Sequence, residues 1–183
     1  MLNGISANLA CIQVALYTPN NRGGFGAPVL FTGGPGVGKT WTLEAAGTPA
    51  GLPVVTLSPG SSGEGAFGVV PTPRKTYGDD GSPGPTVLDY PIPAYVESAF
   101  GGPDGKGILF IDEVTSSPDH ILPALLGLVA SGTIGFTRLG KRIRVLGACN
   151  PPEIAADGRE LPAPLANRFL WLPWAPPTAN EVV

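Results

Sequence analysis

The sequence predicts an α/β fold with a parallel sheet, and three observations carry this prediction. Short apolar runs at residues 28–32, 53–57 and 108–111 are bounded by Gly, Pro or acidic residues, as buried strands commonly are. Segments with apolar residues at helical spacing lie between these runs. A glycine-rich segment joins the first run to one of the helical segments. Strands that alternate with helices in this way form a sheet that helices cover on both faces.

The composition is that of one globular domain over residues 1–183. Hydrophobic residues make up 43 % of the chain, which is enough for a core and too many for a disordered segment. The 27 Gly and 22 Pro residues should therefore lie in long loops. The net charge of −3 gives no overall field that would attract nucleic acid or an anionic membrane. We therefore expect neither as a partner.

The few cysteines and histidines argue against a metal site built from nitrogen and sulfur. Cys11 and Cys149 match no metal-binding spacing, and His120 is the only histidine. We expect both thiols to be reduced and buried, as in a cytoplasmic protein. Residues 1–17 lack the basic start of a signal peptide, and the longest apolar run, 121–130, is too short to span a bilayer. The sequence thus predicts a soluble, cytoplasmic protein.

In the first third of the chain the elements follow one another closely. Apolar residues at helical spacing predict a helix over 5–17, and the turn-rich segment after it separates this helix from the strand at 28–32. A second helix should begin at Trp41 and end at Gly47, because glycine commonly terminates helices. The β-branched residues of 53–57 favour a second strand.

Residues 58–107 contain most of the turn-forming residues, and we expect this stretch to be irregular. Within it, residues 93–100 could form a short helix with proline in its first turn. Four charged residues lie near its middle, at Arg74, Lys75, Asp79 and Asp80. They are typical of a solvated loop, and the alternative is a loop that contacts a partner or faces a pore.

The second half of the chain continues the alternation of strands and helices. We expect a strand at 108–111, a helix over 119–132, two strands at 133–137 and 141–148 around a turn at residues 139–140, and a last strand at 169–172. The one basic cluster lies around that turn and consists of Arg138, Lys141, Arg142 and Arg144. It indicates either a solvated hairpin or a contact with a neighbouring subunit or polymer.

The segment 33–40, GGPGVGKT, fits the phosphate-binding pattern GxxxxGK[ST]. In such a loop, backbone N–H groups and the start of a helix hold phosphates, the lysine neutralises them, and the hydroxyl binds Mg²⁺. Here those residues are Lys39 and Thr40. Its place between a strand and a helix favours a nucleoside triphosphate site over a simple glycine-rich turn.

Acidic and amide side chains follow two later strands. In GILFIDE, an apolar strand ends at Asp112 and Glu113, which would hold the water shell of Mg²⁺ and orient an attacking water respectively. Asn150 ends the strand before CNPP, where it could hydrogen-bond the terminal phosphate and that water. Asn before Pro is also an ordinary start of a turn. Both readings of Asn150 stay open.

Arg168 lies where a short helical turn meets the last strand. Supplied to a neighbouring subunit, such an arginine can stabilise the transition state of phosphoryl transfer. The alternative is a structural ion pair within the same chain.

The order of these motifs resembles that of the AAA+ ATPases, specifically their MoxR-like branch. GGPGVGKT, ILFIDE, CNPPE and LANRF follow one another over nearly the whole chain. The resemblance implies a three-layer P-loop NTPase core, the AAA+ core, with a five-stranded parallel sheet in the order 5-1-4-3-2. It also implies that ATP is bound by Gly33, Gly34, Pro35, Gly36, Val37, Gly38, Lys39 and Thr40.

The resemblance further implies roles for individual side chains and partners. Mg²⁺ would be held by Thr40 and Asp112, and the catalytic residues would be Lys39, Glu113, Asn150 as first sensor and Arg168 as arginine finger. The chain would form a ring, commonly a hexamer, with shared sites. Its role would be chaperone-like remodelling or maturation of a client protein, in some cases one with a von Willebrand factor A domain.

The chain departs from this family in one respect, because only PWAPPTANEVV follows the last strand where a helical lid is usual. We therefore expect a core domain without its lid, and the alternative function is a nucleotide-gated binding or scaffold module with little turnover. GAFG at residues 65–68 partly resembles the loop motif of bacterial enhancer-binding activators, without its second half.

Overall fold

The computed structural model describes residues 4–20, 22–151, 153–154 and 160–176. Along the chain its helices and strands are α1 Gly4–Tyr17, β1 Val29–Thr32, α2 Lys39–Gly47, β2 Val54–Leu57, β3 Thr72–Tyr77, β4 Pro83–Asp89, α3 Ala94–Ser98, β5 Gly107–Ile111, α4 Leu122–Ser131, β6 Thr133–Ile134, β7 Thr137–Arg138, β8 Ile143–Cys149, α5 Ala163–Ala166 and β9 Leu170–Pro173. Two 3₁₀ helices, Glu64–Phe67 and Val114–Ser116, complete the list.

Five of the strands form one parallel sheet in the order β2-β5-β8-β1-β9. Counting only these five along the chain, the order is 5-1-4-3-2, which confirms the predicted topology. β1 lies between β8 and β9, with Val29 opposite Leu146 on one side and Leu170 on the other. Because all five strands are parallel, their carboxyl ends meet at one edge of the sheet.

Helices cover both faces of this sheet. On one face, Leu30 and Leu109 pack with side chains of α3, α4 and α5. On the other face, Phe31 and Phe110 pack with side chains of α1 and α2. Burial on both faces explains why the central strands read as unbroken apolar runs. None of the described helices is long and apolar enough to cross a bilayer.

The predicted start of α2 was wrong, and its predicted end at Gly47 is confirmed. α2 begins at Lys39, two residues before the predicted Trp41, so the first turn of the helix includes the lysine and the threonine of the loop. Gly47 does not terminate this helix with a left-handed turn, since it stays helical and Thr48 after it has φ −58°. A Cβ at Gly47 would lie 2.8 Å from Val54 Cγ2 and 2.9 Å from the Leu52 carbonyl oxygen, so this glycine serves close packing.

The expectation that residues 58–107 are irregular was wrong. β3 and β4 form an antiparallel hairpin in this stretch, with Thr72 opposite Asp89. No residue of either strand is buried, so the hairpin lacks the alternation of apolar and polar residues by which strands are recognised. The four charged residues lie on or next to it, and Arg74 forms an exposed ion pair with Asp89 at 2.9 Å. The expected short helix is present as α3.

The predicted position of the turn between the strands at 133–137 and 141–148 was also wrong. β6 and β7 pair with each other and turn at Gly135, which has φ +56°, instead of at residues 139–140. A Cβ at Gly135 would lie 2.9 Å from the Gly68 carbonyl oxygen, which explains why the chain turns at this glycine.

Two arginines of the basic cluster stabilise the fold and are not simply solvated. Arg142 Nη2 donates to the Asp104 carbonyl at 2.8 Å, and Arg144 Nε donates to the Leu16 carbonyl at 3.0 Å. The side chain of Arg144 thereby joins β8 to the end of α1. The GAFG segment is likewise structural in part, because Phe67 is buried in the core.

Candidate functional site

The segment 33–40, called the phosphate loop here, joins β1 to α2 at the carboxyl edge of the sheet. Its turns use Gly36 and Gly38, which have φ of +73° and +78°. The first hydrogen bond of the helical turn runs from Thr42 N to the Gly38 carbonyl at 3.0 Å. The backbone N–H groups at the start of α2 therefore have no acceptor within the helix, which is the arrangement that binds anions.

Lys39 lies over the phosphate loop. Its Nζ donates to the carbonyls of Gly33 and Gly34, both at 2.8 Å, and to Asn150 Oδ1 at 3.3 Å. Burial lowers the pKa of Lys39, and the nearby Asp112, Cys149 and Glu113 partly oppose this shift. An anionic ligand at this point would favour the charged ammonium further.

Thr40 and Asp112 bring two oxygen ligands together. Thr40 Oγ1 donates to Asp112 Oδ2 at 3.1 Å, so the first turn of α2 and the end of β5 meet here. The backbone holds Asp112 in place, because its N–H donates to the Leu57 carbonyl at 2.8 Å. A hydroxyl and one carboxylate suit Mg²⁺, which usually takes one or two protein carboxylates together with substrate phosphates. No group of three or more His, Cys, Asp or Glu side chains among the described residues could hold a metal by itself.

Glu113 has an unusual backbone conformation. With φ 54° and ψ 49° it is the only non-glycine among the described residues with positive φ. Its carbonyl accepts hydrogen bonds from Ser116 N at 2.9 Å and Ser116 Oγ at 2.8 Å, which hold this turn. Such a conformation costs roughly 1–3 kcal/mol and is commonly found where a side chain must point into a functional site. The side chain itself is exposed at the edge of the sheet.

Asn150 follows β8 directly and faces the phosphate loop. The end of β8 is tied to the loop, because Gly33 N donates to the Cys149 carbonyl at 3.2 Å. The thiol of Cys149 is buried, and this burial raises its pKa. The ends of β1, β5 and β8 therefore present the loop, the acids and the amide at one place.

These residues line one open cleft of about 360 Å³, formed by Pro35, Gly36, Val37, Gly38, Lys39, Thr40, Trp41, Asp112, Glu113 and Asn150. A volume of this size lies within the range of small-molecule sites. The sequence had singled out all of these side chains except Trp41, which is 73 % exposed beside the loop. A large aromatic residue directly after the loop motif was the signal that could have found it.

Arg168 does not join this cleft. It is exposed, and its Nη1 donates to the Pro164 carbonyl at 2.7 Å. Among the described residues it makes no ion pair, so the alternative of a structural ion pair has no support in them. Arg168 is the one candidate catalytic residue that lies apart from the others.

Comparison with known proteins shows the fold of the chain. A scan against protein-family models found no match, and a search of curated proteins found none either. Among solved structures, a proposed ATPase from Cytophaga hutchinsonii is similar at 20 % identity and a TM-score of 0.58, over 98 % of this chain and 49 % of that one.

Two further solved structures agree with this result. RuvB of Thermotoga maritima, as its P216G variant, has 19 % identity and a TM-score of 0.62, over 98 % of this chain and 49 % of RuvB. NtrX of Brucella abortus has 19 % identity and a TM-score of 0.56, over 100 % of this chain and 38 % of NtrX. The chain thus spans about half or less of the proteins it matches. At this identity the similarity shows the fold alone, which is the three-layer α/β fold of P-loop NTPases with its five-stranded parallel sheet.

Proposed function

We propose that this chain is the ATP-binding and ATP-hydrolysing core of a MoxR-like AAA+ protein that remodels or matures a protein partner. The observation that carries this proposal is the convergence of the phosphate loop, Asp112, Glu113 and Asn150 on one cleft. The fold alone would not suffice, since one fold hosts many functions.

Binding of ATP follows from the donors in the cleft. The free N–H groups at the start of α2 and the ammonium of Lys39 suit the phosphates. Thr40 and Asp112 would hold Mg²⁺, which supplies charge neutralisation at the phosphate oxygens. Among the described residues, Lys39 Nζ has only uncharged oxygens at hydrogen-bond distance, so an incoming phosphate would not have to displace a carboxylate from it.

Hydrolysis needs a group that orients water and a group that senses the terminal phosphate. Glu113 fits the first task, because its carboxylate is exposed in the cleft while its backbone is held by Ser116. Asn150 fits the second, because its amide lies 3.3 Å from Lys39 Nζ and can also reach a phosphate bound there. Both side chains stand on the ends of buried strands, which gives them fixed positions.

Arg168 suggests that each site is completed by a neighbouring copy of the chain. Its side chain is exposed and apart from its own cleft, which suits a residue that serves a neighbour's site in a ring. A closed ring, commonly a hexamer, requires such a head-to-tail contact.

The proposed remodelling of a client protein is supported by exposed segments that could contact it. The β3–β4 hairpin projects from the core, and Phe136 at the β6–β7 turn is 80 % exposed. Such surfaces suit contact with a client protein in the cytoplasm, such as one with a von Willebrand factor A domain. The net charge of −3 gives no comparable support for nucleic acid.

Replacing Glu113 by glutamine tests the proposed function. Glu113→Gln keeps the size of the side chain but removes its ability to polarise water, so ATP should still bind with Mg²⁺ while the hydrolysis rate falls about 10²- to 10⁴-fold. Binding is measured by titration calorimetry and hydrolysis by release of phosphate. Glu44→Gln, on the exposed face of α2, is the matched control and should hydrolyse ATP at the wild-type rate.

Two results would contradict the proposal. If Glu113→Gln hydrolysed ATP as fast as the wild type, Glu113 would have no catalytic role. If the wild type bound ATP without hydrolysing it, the nucleotide-gated binding module would be the correct function.

A further inference from the structure

Trp174, directly after β9, lies beneath the phosphate loop. The residue is 4 % exposed, and its ring meets that of Phe31 edge to face, with centroids 5.1 Å apart. Its backbone N–H donates to the Thr32 carbonyl at 2.8 Å. Trp174 is therefore fixed against β1, from which the loop starts.

The side chain of Trp174 contacts the loop at two points. Its indole Nε1 donates to the carbonyl of Val37 at 3.2 Å. At the start of the loop, a Cβ on Gly33 would lie 2.8 Å from Trp174 Cβ, so the two residues are in close contact. The same buried side chain thus supports both the beginning and the middle of the loop.

The bond to the Val37 carbonyl determines where the next N–H group points. The peptide between Val37 and Gly38 is trans, so its C=O and N–H point in opposite directions. Because the carbonyl points to the buried indole, the Gly38 N–H points away from the indole, and Gly38 is among the residues that line the cleft. Gly38 has φ +78°, a backbone conformation that glycine adopts without strain.

The Gly38 N–H is also free to donate a hydrogen bond to a ligand. Among the described residues it has no hydrogen-bond acceptor, since the nearby bond of α2 uses the Gly38 carbonyl and not its N–H. A donor that faces an open cleft without an acceptor suits an anionic oxygen.

We propose that Trp174 is a positioning residue for phosphate binding: its indole N–H fixes the Val37–Gly38 peptide so that the Gly38 N–H donates to a phosphate of the nucleotide. This inference rests on the proposed nucleotide site. The loop motif does not contain Trp174, which lies 137 positions after Val37.

The test removes the indole N–H and keeps an aromatic side chain, and only the second variant also keeps the size of the two-ring system. Trp174→Phe, and replacement of Trp174 by the isosteric benzothienylalanine, should weaken binding of ATP, ADP and inorganic tripolyphosphate roughly three- to tenfold, the value of one hydrogen bond. Trp171→Phe is the matched control. Trp171 also donates from its indole, but to the Ala166 carbonyl, at 3.0 Å, and not to a carbonyl of the loop. This control should bind all three ligands as the wild type does.

A second readout separates positioning from general stability. The Gly38 amide proton should shift downfield when ADP binds to the wild type and to Trp171→Phe, and much less in either Trp174 variant. A Trp174 variant that binds tripolyphosphate with wild-type affinity and shows the full Gly38 shift would overturn this inference while the proposed function stands. If the wild type itself bound none of the three ligands, both would be wrong.

Discussion

Gly33 and Gly34 are neighbours in the same motif, yet the structure gives them different tolerances. A Cβ at Gly33 would lie 2.8 Å from Trp174 Cβ and 2.9 Å from the Trp174 carbonyl oxygen. At Gly34 the nearest atoms would be Ile154 Cδ1 at 3.7 Å and Val37 Cγ1 at 3.9 Å, which are ordinary contacts. The sequence motif alone cannot make this distinction, because it depends on a residue far along the chain.

Alanine at these two glycines should therefore have unequal effects. Gly33→Ala overpacks against backbone and should cost about 1–3 kcal/mol, which lowers the melting temperature by roughly 2–12 °C in a chain of this length. Gly34→Ala should leave the melting temperature nearly unchanged. Thermal unfolding followed by circular dichroism measures both, and equal losses would contradict the packing described for Trp174.

Glu113 combines the proposed catalytic carboxylate with a left-handed backbone, and the cost of this backbone conformation to stability can be measured. At φ 54° glycine is free of the strain that Ala carries, so Glu113→Gly should be more stable than Glu113→Ala by about 1 kcal/mol. At Glu44, inside α2, the order should reverse, with Ala more stable than Gly by about 1 kcal/mol. Urea unfolding of the four variants tests this. The same order at both positions would show that Glu113 is not strained.

At the scale of elements, burial decides what the sequence could predict. β1, β5 and β8 are buried along nearly their whole length, and their apolar runs predicted them correctly. β3 and β4 bury no residue and contain prolines, so nothing in their pattern distinguishes them from a loop. The start of α2 was predicted two residues too late, because Lys39 is helical before any apolar residue appears.

The β3–β4 hairpin should be dispensable for the fold and the nucleotide site. Thr72 and Asp89 pair directly, so a Gly-Gly turn can replace residues 73–88. The loss includes the exposed Arg74–Asp89 ion pair, which is worth little. The melting temperature should change by less than about 4 °C, and the affinity for ATP should stay the same.

A substitution in the core provides a reference for the melting temperature of the hairpin deletion. Leu109 in β5 is fully buried, so Leu109→Ala should cost about 2–5 kcal/mol. If the hairpin deletion destabilised the chain as much as Leu109→Ala, the hairpin would be part of the core and not a projecting arm.

At the scale of the whole molecule, the sequence predicted the residues that line the cleft better than the residues that hold them in place. Lys39, Thr40, Asp112 and Asn150 were found because each stands in a local pattern, at a loop or at the end of an apolar strand. Trp174 was missed, since its contact with the loop exists only after β9 has paired with β1. Local patterns carry no information about such tertiary contacts.

In the proposed ring with shared sites, Arg168 of one subunit and Glu113 of the next would act together. A mixture of Arg168→Ala and Glu113→Gln chains should regain hydrolysis, because about a quarter of randomly formed interfaces then combine an intact glutamate with an intact arginine. A mixture of Lys39→Ala and Glu113→Gln chains is the control and should stay inactive, since both residues line the same cleft. Absence of rescue in the first mixture would count against an arginine supplied by a neighbour.

The central claim is that this cleft hydrolyses ATP. Its most direct test is the release of phosphate from ATP by the wild-type chain with and without Mg²⁺, over a wide range of protein concentrations and beside Glu113→Gln. We expect release that requires Mg²⁺, rises more steeply than the protein concentration as chains assemble, and is lost in Glu113→Gln. A wild-type chain that binds ATP and assembles, yet releases no phosphate at any concentration, would contradict the account.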